Sequence, residues 1–255
     1  MLILRQLALV TSDIKAAEEF FRHSLGLKVC YTDPGLKSFG LVNIILPIGD
    51  QFLEVVSPIK EGTTAGRFLE KNGDGGYIVI TQCDDHLVYK RRVEELGVRI
   101  AHEFNVDGFS NMQLHPKDTG GLFLEIDQQL GPRGNQQDGP WTPAGHANLN
   151  RFGSEIGMAI KSVRIGTRLP AATAQKWSEI FGKKYGDKES EFEIVLENSS
   201  IFFAKNAGVS HERLISIGLS VPDEKDIIFR AGELGANCSS ESFFAFGVDW
   251  LLSSN

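Results

Sequence analysis

The chain has 255 residues, 42% hydrophobic and 23% charged, which is typical of a folded protein with one large domain or two modest ones. With 26 basic and 33 acidic residues the net charge is −7, and because no basic run is clustered we expect no nucleic-acid partner. No stretch is apolar over the roughly 18–20 residues that cross a bilayer, and three cysteines without paired spacing fit a reducing compartment, so we expect a cytoplasmic protein with no membrane partner.

Four amphipathic helices are predicted, each with similar start and stop signals. Each begins at an acidic cap or a proline and ends at a glycine twelve or thirteen residues later. They run from Asp13 to Gly26, from Asp85 to Gly97, from Pro170 to Gly182 and from Asp223 to Gly235. Apolar residues within them recur at three- and four-residue spacing, which is the period of a helix packed on one side.

Each predicted helix lies between short β-rich segments. The strands that precede the helices are predicted at residues 4–10, 77–83, 162–169 and 213–221. The strands that follow them are predicted at 27–31, 41–46 and 51–57, at 98–103, 111–115 and 122–127, at 184–187, 191–197 and 200–205, and at 247–252. The pattern predicts an α+β fold built from four βαβββ units, of which the fourth is short.

A stretch rich in glycine and proline separates the second unit from the third. Residues 128–157 contain several such turn residues, which continue neither a helix nor a strand. We therefore predict domains at residues 1–127 and 158–255 joined by this linker. Trp141 within the linker is interpreted as an aromatic residue that pins it to a domain surface.

Two predicted strands carry a carboxylate in the same motif. Glu54 follows Phe-Leu at the end of the first unit, Glu125 follows Phe-Leu at the end of the second, and Gln6 lies in the otherwise apolar first strand. A buried carboxylate must be paired, protonated or metal-bound, because burying it alone is costly. The repeat makes the two acids face each other, and a divalent cation between them is one solution. The alternative is that both glutamates are partly solvated and Gln6 only hydrogen-bonds between them.

The paired βαβββ units resemble the vicinal-oxygen-chelate superfamily of glyoxalases, bleomycin-resistance proteins and extradiol dioxygenases. Residues 52–58, 68–76 and 115–125 carry the resemblance, which over about residues 5–127 is to methylmalonyl-CoA epimerases. It implies two vicinal-oxygen-chelate domains, each with paired units that form a cupped mixed sheet around a small-molecule site. Beyond residue 158 only the unit architecture matches.

The resemblance also implies a metal site. Three of the family's four ligand positions fall on Gln6, Glu54 and Glu125. The fourth, a histidine in the family, falls on Ile78 or Val79. An all-oxygen ligand set favours Mg²⁺, Mn²⁺ or Ca²⁺ over Zn²⁺. The expected cofactor is a divalent cation (Mg, Mn, Co, Ni or Zn), bound weakly or not at all because one ligand is missing.

Other features are compatible with a structural or a functional role. Residues 115–121 are typical of a hairpin turn, and the alternative is that His115 or Lys117 contacts an anionic substrate.

The second half has Ser162 or Val163 where Gln6 stands and lacks the two acids, so we predict no metal there. Its aromatic residues indicate an ordinary core or, alternatively, an aromatic ligand pocket; these are Phe202, Phe203, Phe243, Phe244, Phe246 and Trp250.

The leading hypothesis is a glyoxalase- or epimerase-like lyase or isomerase acting on a small carbonyl substrate. A cation would stabilise an enolate while Glu54 or Glu125 moves a proton. By the resemblance, Asn43 stands where the family has its proton-abstracting glutamate, and an amide cannot act as a base. The alternatives are a metal-free binding protein of the bleomycin-resistance type and, least favoured, an extradiol dioxygenase relative. The expected partner is a small-molecule substrate, and a homodimer is left open.

Overall fold

The structure is a computed structural model that describes residues 1–106, 108–145, 157–188, 190–206 and 212–255. The helices are α1 (Ile14–Ser24), α2 (Thr64–Asn72), α3 (His86–Glu95), α4 (Pro116–Thr119), α5 (Pro170–Phe181) and α6 (Glu224–Glu233). The strands are β1 (Leu2–Val10), β2 (Leu41–Ile48), β3 (Gln51–Pro58), β4 (Gly75–Cys83), β5 (Ile100–Val106), β6 (Phe109–Leu114), β7 (Phe123–Gln129), β8 (Ala159–Thr167), β9 (Tyr185–Lys188), β10 (Glu191–Val195), β11 (Ser200–Lys205), β12 (Arg213–Val221), β13 (Asn237–Cys238), β14 (Ser242–Ala245) and β15 (Val248–Ser254). Two 3₁₀ segments lie at Pro34–Phe39 and Thr142–Ala144.

The four predicted helices form where their capping signals lie. The side chain of Asp13 accepts hydrogen bonds from two backbone N–H groups in the first turn of α1, and Asp85 does the same in α3. Asp223 caps α6 by accepting from one backbone N–H, that of Asp226. Pro170 opens α5, and Gly182 ends it in the left-handed conformation, with φ of 62°. Because these signals are local, the helix boundaries agree with the sequence prediction to within two residues.

The strands form one mixed sheet with two halves. We call the strands in the order β2-β3-β1-β4-β7-β6-β5 the N-terminal cup, and those in the order β9-β10-β11-β8-β12-β15-β14-β13 the C-terminal cup. In each cup the first strand of a unit pairs in parallel with its last strand, and the two units meet through an antiparallel pair. This arrangement confirms the α+β fold of paired units.

The two halves share one hydrophobic core, which contains residues of α1, α3, α5 and α6 and one face of both cups. Phe21 of α1 reaches into the C-terminal half, where its ring centroid lies 5.2 Å from those of Phe246 and Trp250. In the other direction, the indole N–H of Trp177 in α5 donates to the carbonyl oxygen of Thr119 at 2.9 Å. The halves therefore interlock through side chains as well as through the single β4–β12 bridge.

Three segments of the N-terminal half differ from the sequence prediction, and in the fourth unit the structure adds β13 and β14 to the predicted last strand. Residues 27–31 form an isolated bridge, Tyr31 to Ile45, in place of a strand. Residues 64–72 form α2, which the prediction lacks because glycine and charged residues interrupt its apolar pattern. Residues 116–119 form a single helical turn inside the predicted hairpin turn, because proline, here Pro116, is favoured as the first residue of a helix.

The predicted linker packs against the N-terminal cup over its described residues, up to 145. The carbonyl oxygen of Gly134 accepts a hydrogen bond from the Gln82 side chain, and that of Gly139 accepts one from Arg5, both at 2.6 Å. This segment therefore forms a wall of the cup, and the rest of the predicted linker, residues 146–156, lies outside the described residues. None of the described helices combines the length and the apolar character needed to cross a membrane.

Candidate functional site

Strand alternation turns Gln6, Glu54 and Glu125 to the same side of the N-terminal cup. We call this side the inner face. It carries an apolar cluster that includes Ala8, Phe52 and Ile80, while the intervening residues of the same strands belong to the shared core. Both glutamates are half-buried, whereas Gln6 is almost fully buried. The strand parity expected from the sequence is therefore the one observed.

Glu54 is held by two side-chain amides. Its Oε1 accepts a hydrogen bond from Asn43 Nδ2 at 2.7 Å, and its Oε2 accepts one from Gln6 Nε2 at 2.9 Å. Asn43 is itself oriented by the backbone N–H of Asp33, which donates to its Oδ1 at 2.8 Å. Asn43 thus supports the carboxylate of Glu54 with a hydrogen bond.

Glu125 is held in the same manner by the second unit. Its Oε1 accepts from Gln113 Nε2 at 2.6 Å, and its Oε2 accepts from Asn111 Nδ2 at 3.1 Å. Asn111 also donates to Oδ1 of the buried Asp127 at 2.9 Å. Asn43 with Glu54 and Asn111 with Glu125 are therefore the same amide–carboxylate pair, repeated in the two units.

Burial raises the pKa of all three inner-face acids. Burial is the largest cause for Glu54, and its hydrogen bonds with Asn43 and Gln6 partly offset the rise in pKa. The pKa of Glu125 is raised to about 7, first by burial and further by the charge of Glu54, against a hydrogen bond from Gln113. The pKa of Asp127 is raised well above its usual value by burial and by Glu125. Near neutral pH, Glu125 is therefore able both to accept and to release a proton.

The raised pKa of Glu125 predicts that the folded protein is less stable in base. Between pH 4.5 and about 7 the folded state binds more protons than the unfolded chain, so its stability is full at low pH and falls as pH rises through this window. Glu125→Gln mimics the protonated acid and should raise the free energy of unfolding by about 1–3 kcal/mol at pH 8. At pH 5 we expect little change. Urea unfolding at both pH values measures the difference, and the exposed Glu95→Gln is the control. An equal effect of Glu125→Gln at the two pH values would contradict the assignment.

The donor set at this site does not fit a metal ion. Gln6 presents its NH₂ group to Glu54, because its amide oxygen accepts the indole N–H of Trp141 at 2.8 Å. Every oxygen of Glu54 and Glu125 accepts an amide hydrogen bond. Within the described ranges, no three His, Cys, Asp or Glu side chains come together as ligands. Both carboxylates are therefore hydrogen-bond acceptors on each of their oxygens.

The structure also distinguishes the two residues at the expected histidine position. In the first unit, Gln6 pairs with Phe52 across the parallel strands. In the second unit, Ile78 pairs with Phe123 in the corresponding register. Ile78 belongs to the inner-face cluster, whereas Val79 lies in the shared core. Ile78 is therefore the counterpart of Gln6, and Tyr77 is the extra residue of a bulge that sequence alone could not locate.

Trp141 forms part of the site and is fully buried. Its ring makes an edge contact with Phe109, at 5.3 Å between centroids. The guanidinium of Arg5 lies 5.5 Å from the ring centroids of both Trp141 and Phe52, and burial lowers the pKa of Arg5 to about 10. Trp141 thus pins the linker to a domain surface as expected, and that surface is the inner face of the cup.

Gly139→Ala should displace this wall of the site. An added Cβ would lie 2.0 Å from the carbonyl oxygen of Arg133 and 2.9 Å from that of Gln136. Because backbone atoms cannot yield easily, we expect a loss of about 1–3 kcal/mol in the free energy of unfolding. Urea unfolding followed by tryptophan fluorescence measures it. Gly186→Ala, whose Cβ meets nothing within 4 Å, is the matched control, and equal losses in both variants would refute the packing argument.

The remaining candidate residues lie elsewhere. His115 caps α4 by accepting the backbone N–H of Lys117 at 3.2 Å, which fits the structural interpretation of that turn. In the C-terminal cup, Ser162 faces Ser200 across the parallel pair. Arg164 lies 5.3 Å from the Phe202 ring centroid. Of the six aromatic residues, Phe203, Phe243 and Trp250 are buried in the core, Phe246 is partly buried against it, Phe202 is half-buried and Phe244 is exposed.

About half of the chain is similar in sequence to curated epimerases. The ethylmalonyl-CoA/methylmalonyl-CoA epimerase of Cereibacter sphaeroides is 28% identical over 130 residues, which cover 49% of this chain and 96% of that protein. The mitochondrial methylmalonyl-CoA epimerase of Bos taurus is 28% identical over 129 residues, which cover 49% of this chain and 73% of that protein. No family model matches the chain. The N-terminal half is the part that resembles these enzymes.

Solved structures with the same fold span most or all of the chain. A hypothetical protein from Staphylococcus aureus aligns over 100% of both chains, with a TM-score of 0.70 and 10% identity. A mutant of 4-hydroxymandelate synthase from Streptomyces coelicolor aligns over 91% of this chain and 75% of its own, with a TM-score of 0.65 and 14% identity. At these identities the likeness concerns the fold alone.

Proposed function

We propose that this chain catalyses an isomerase-type proton transfer next to a carbonyl group. The chain belongs to the vicinal-oxygen-chelate superfamily, and its N-terminal half resembles methylmalonyl-CoA epimerase. The observation that carries the proposal is the pair of amide-held carboxylates, Glu54 and Glu125, on one inner face. The charge of Glu54 lies close enough to raise the pKa of Glu125.

The reaction needs one base that takes a proton and one acid that gives a proton. Glu125, with its pKa at about 7, removes the proton from the carbon next to the carbonyl, and the electron pair of the broken C–H bond moves into an enolate. Glu54, whose pKa is also raised, returns a proton to the other face of that carbon. One proton leaves and one arrives, so no oxidant or reductant is consumed.

Tyr77 is the residue we propose to donate to the enolate oxygen. It packs at the inner face between Phe68 and Phe123, with ring centroids 5.4 Å and 5.3 Å away. Burial raises the pKa of Tyr77 to about 12, so its hydroxyl stays protonated at neutral pH and is a competent hydrogen-bond donor. The sequence prediction did not include Tyr77, because the bulge that turns it inward is a property of the β1–β4 pairing.

The substrate class follows from the relatives. The curated epimerases carry methylmalonyl-CoA and ethylmalonyl-CoA in their names, so we propose a small branched malonyl-type thioester, whose carbon between two carbonyl groups is acidic. We also keep the predicted division into domains at residues 1–127 and 158–255 as part of the proposal. In it the N-terminal domain holds the reacting groups, and the C-terminal domain supports it.

A metal-free binding protein is the second candidate function. Trp141 lies against the inner face, and every oxygen of the two glutamates already has an amide donor. A cup whose two glutamates are already hydrogen-bonded and which Trp141 partly fills suits the binding of a small molecule without a reaction. Under this alternative a thioester would bind and leave unchanged.

Proton exchange with solvent separates the two functions. Methylmalonyl-CoA and ethylmalonyl-CoA are incubated with the protein in D₂O, and deuterium at the acidic carbon is followed by mass spectrometry against the rate without protein. Isomerase-type chemistry predicts enzyme-dependent exchange that is faster than the background. Calorimetric binding without exchange would favour the binding protein, and neither binding nor exchange would remove malonyl thioesters from the proposal.

A further inference from the structure

The hydrogen-bond partners of Gln6 decide which way its side-chain amide is turned, and the contact with Trp141 settles it. An indole N–H donates and never accepts, so the atom of Gln6 that lies 2.8 Å from Trp141 Nε1 must be the amide oxygen. The NH₂ group is therefore left for Glu54, at 2.9 Å. A residue 135 positions away in the chain thus decides which end of Gln6 faces the carboxylates.

Trp141 is firmly held in this position. Phe109 contacts its ring edge-on, and the side chain of Arg5 lies over it while donating to the carbonyl oxygen of Gly139, two residues earlier. The next residue, Thr142, donates through its backbone N–H and its hydroxyl to Oε1 of Gln129, both at 2.8 Å. Rotation of the indole away from Gln6 would leave a buried N–H without a partner, which is unfavourable.

A cation at this site would need Gln6 to turn around. Amide oxygens and carboxylates bind hard divalent cations, whereas an amide NH₂ group repels them. To expose its oxygen to Glu54, Gln6 would have to give up its bond with Trp141. We infer that Trp141 is a positioning residue that holds the amide of Gln6 as a donor and thereby keeps divalent cations out of the Glu54–Glu125 site.

The functional importance of this site rests on the proposed function, but the test of the inference measures metal binding and not catalysis. Trp141→Phe keeps an aromatic ring, although a smaller one, beside Arg5 and Phe109 and removes the N–H donor. Gln6 is then free to turn its oxygen toward Glu54, and we expect Mn²⁺ to bind at least about tenfold more tightly than to the unmodified protein, which corresponds to about 1.4 kcal/mol. Calorimetry or the electron paramagnetic resonance signal of free Mn²⁺ measures the affinity.

Two further variants make the test specific. Trp177→Phe removes another buried indole donor, which is bonded to a backbone carbonyl outside the site, and should leave Mn²⁺ affinity unchanged. Trp141→Phe combined with Gln6→Ala should lose the gained affinity, because the ligand itself is gone. The inference is overturned if the unmodified protein binds Mn²⁺ as tightly as Trp141→Phe does, or if Trp177→Phe gains as much.

A measurement on the unmodified protein covers the case in which Trp141→Phe does not fold. With ¹⁵N-labelled tryptophan, the three indole N–H signals are followed in solution while Mn²⁺ is added. Exclusion of the cation predicts equal, weak broadening of all three signals. Preferential broadening of the Trp141 signal would place the ion beside Gln6 and overturn the inference. Deuterium exchange into the thioester, measured separately, tests the proposed function whatever the outcome here.

Discussion

Glu125→Gln should lower the rate of deuterium exchange into a malonyl thioester by at least about 100-fold. A positioned general base contributes about 10²–10⁴ to such a reaction, and glutamine keeps the shape of the side chain but cannot take a proton. The pKa of about 7 makes Glu125 an effective base near neutral pH, since a base works best when its pKa is close to the working pH. Single-turnover exchange in D₂O, followed by mass spectrometry, gives the rate.

Two further variants show whether the loss of exchange is specific to Glu125. Glu54→Gln should retain abstraction from one face and lose return of the proton to the other, so exchange falls less than interconversion of the two stereoisomers. Glu95→Gln, at an exposed position on α3, should change neither. An unchanged exchange rate in a folded Glu125→Gln protein would exclude Glu125 as the base and would favour the binding-protein hypothesis.

Phe21→Ala should cost about 3–5 kcal/mol in the free energy of unfolding, the usual penalty for truncating a fully buried phenylalanine. Phe21 belongs to α1 of the N-terminal half, but it packs against Phe246 and Trp250 of the C-terminal half. Because the cavity would lie in the core that both halves share, we expect one unfolding transition at lower urea concentration, by circular dichroism and by tryptophan fluorescence alike.

Phe229→Ala on α6 is the matched control. Its ring is 66% exposed, so its loss should cost less than about 0.5 kcal/mol. Two separate transitions in Phe21→Ala, of which only one is shifted, would mean that the halves unfold independently. That outcome would contradict a single cooperative core shared by the two halves.

The paired units could be predicted from sequence because their signals are local. Aspartate caps, the proline of α5 and the terminal glycines act within one helical turn, and strand alternation places Glu54 and Glu125 on one face without any knowledge of the partner strands. The missed helix α2 shows the limit of such signals. Its interrupted pattern is stabilised by the packing of Ala65 and Phe68 against the inner-face cluster.

The chemistry of the site was decided by contacts between distant residues. The bulge at Tyr77 and the choice of Ile78 over Val79 depend on how β4 pairs with β1, because a shift of one residue exchanges the two faces of a strand. Local sequence patterns are enough to assign Gln6 and the two glutamates to one face of their strands. The contact of Trp141 with Gln6, which makes the Gln6 amide a donor to Glu54, could not be predicted in this way, because a hydrogen bond across 135 residues depends on how the linker folds back over the cup.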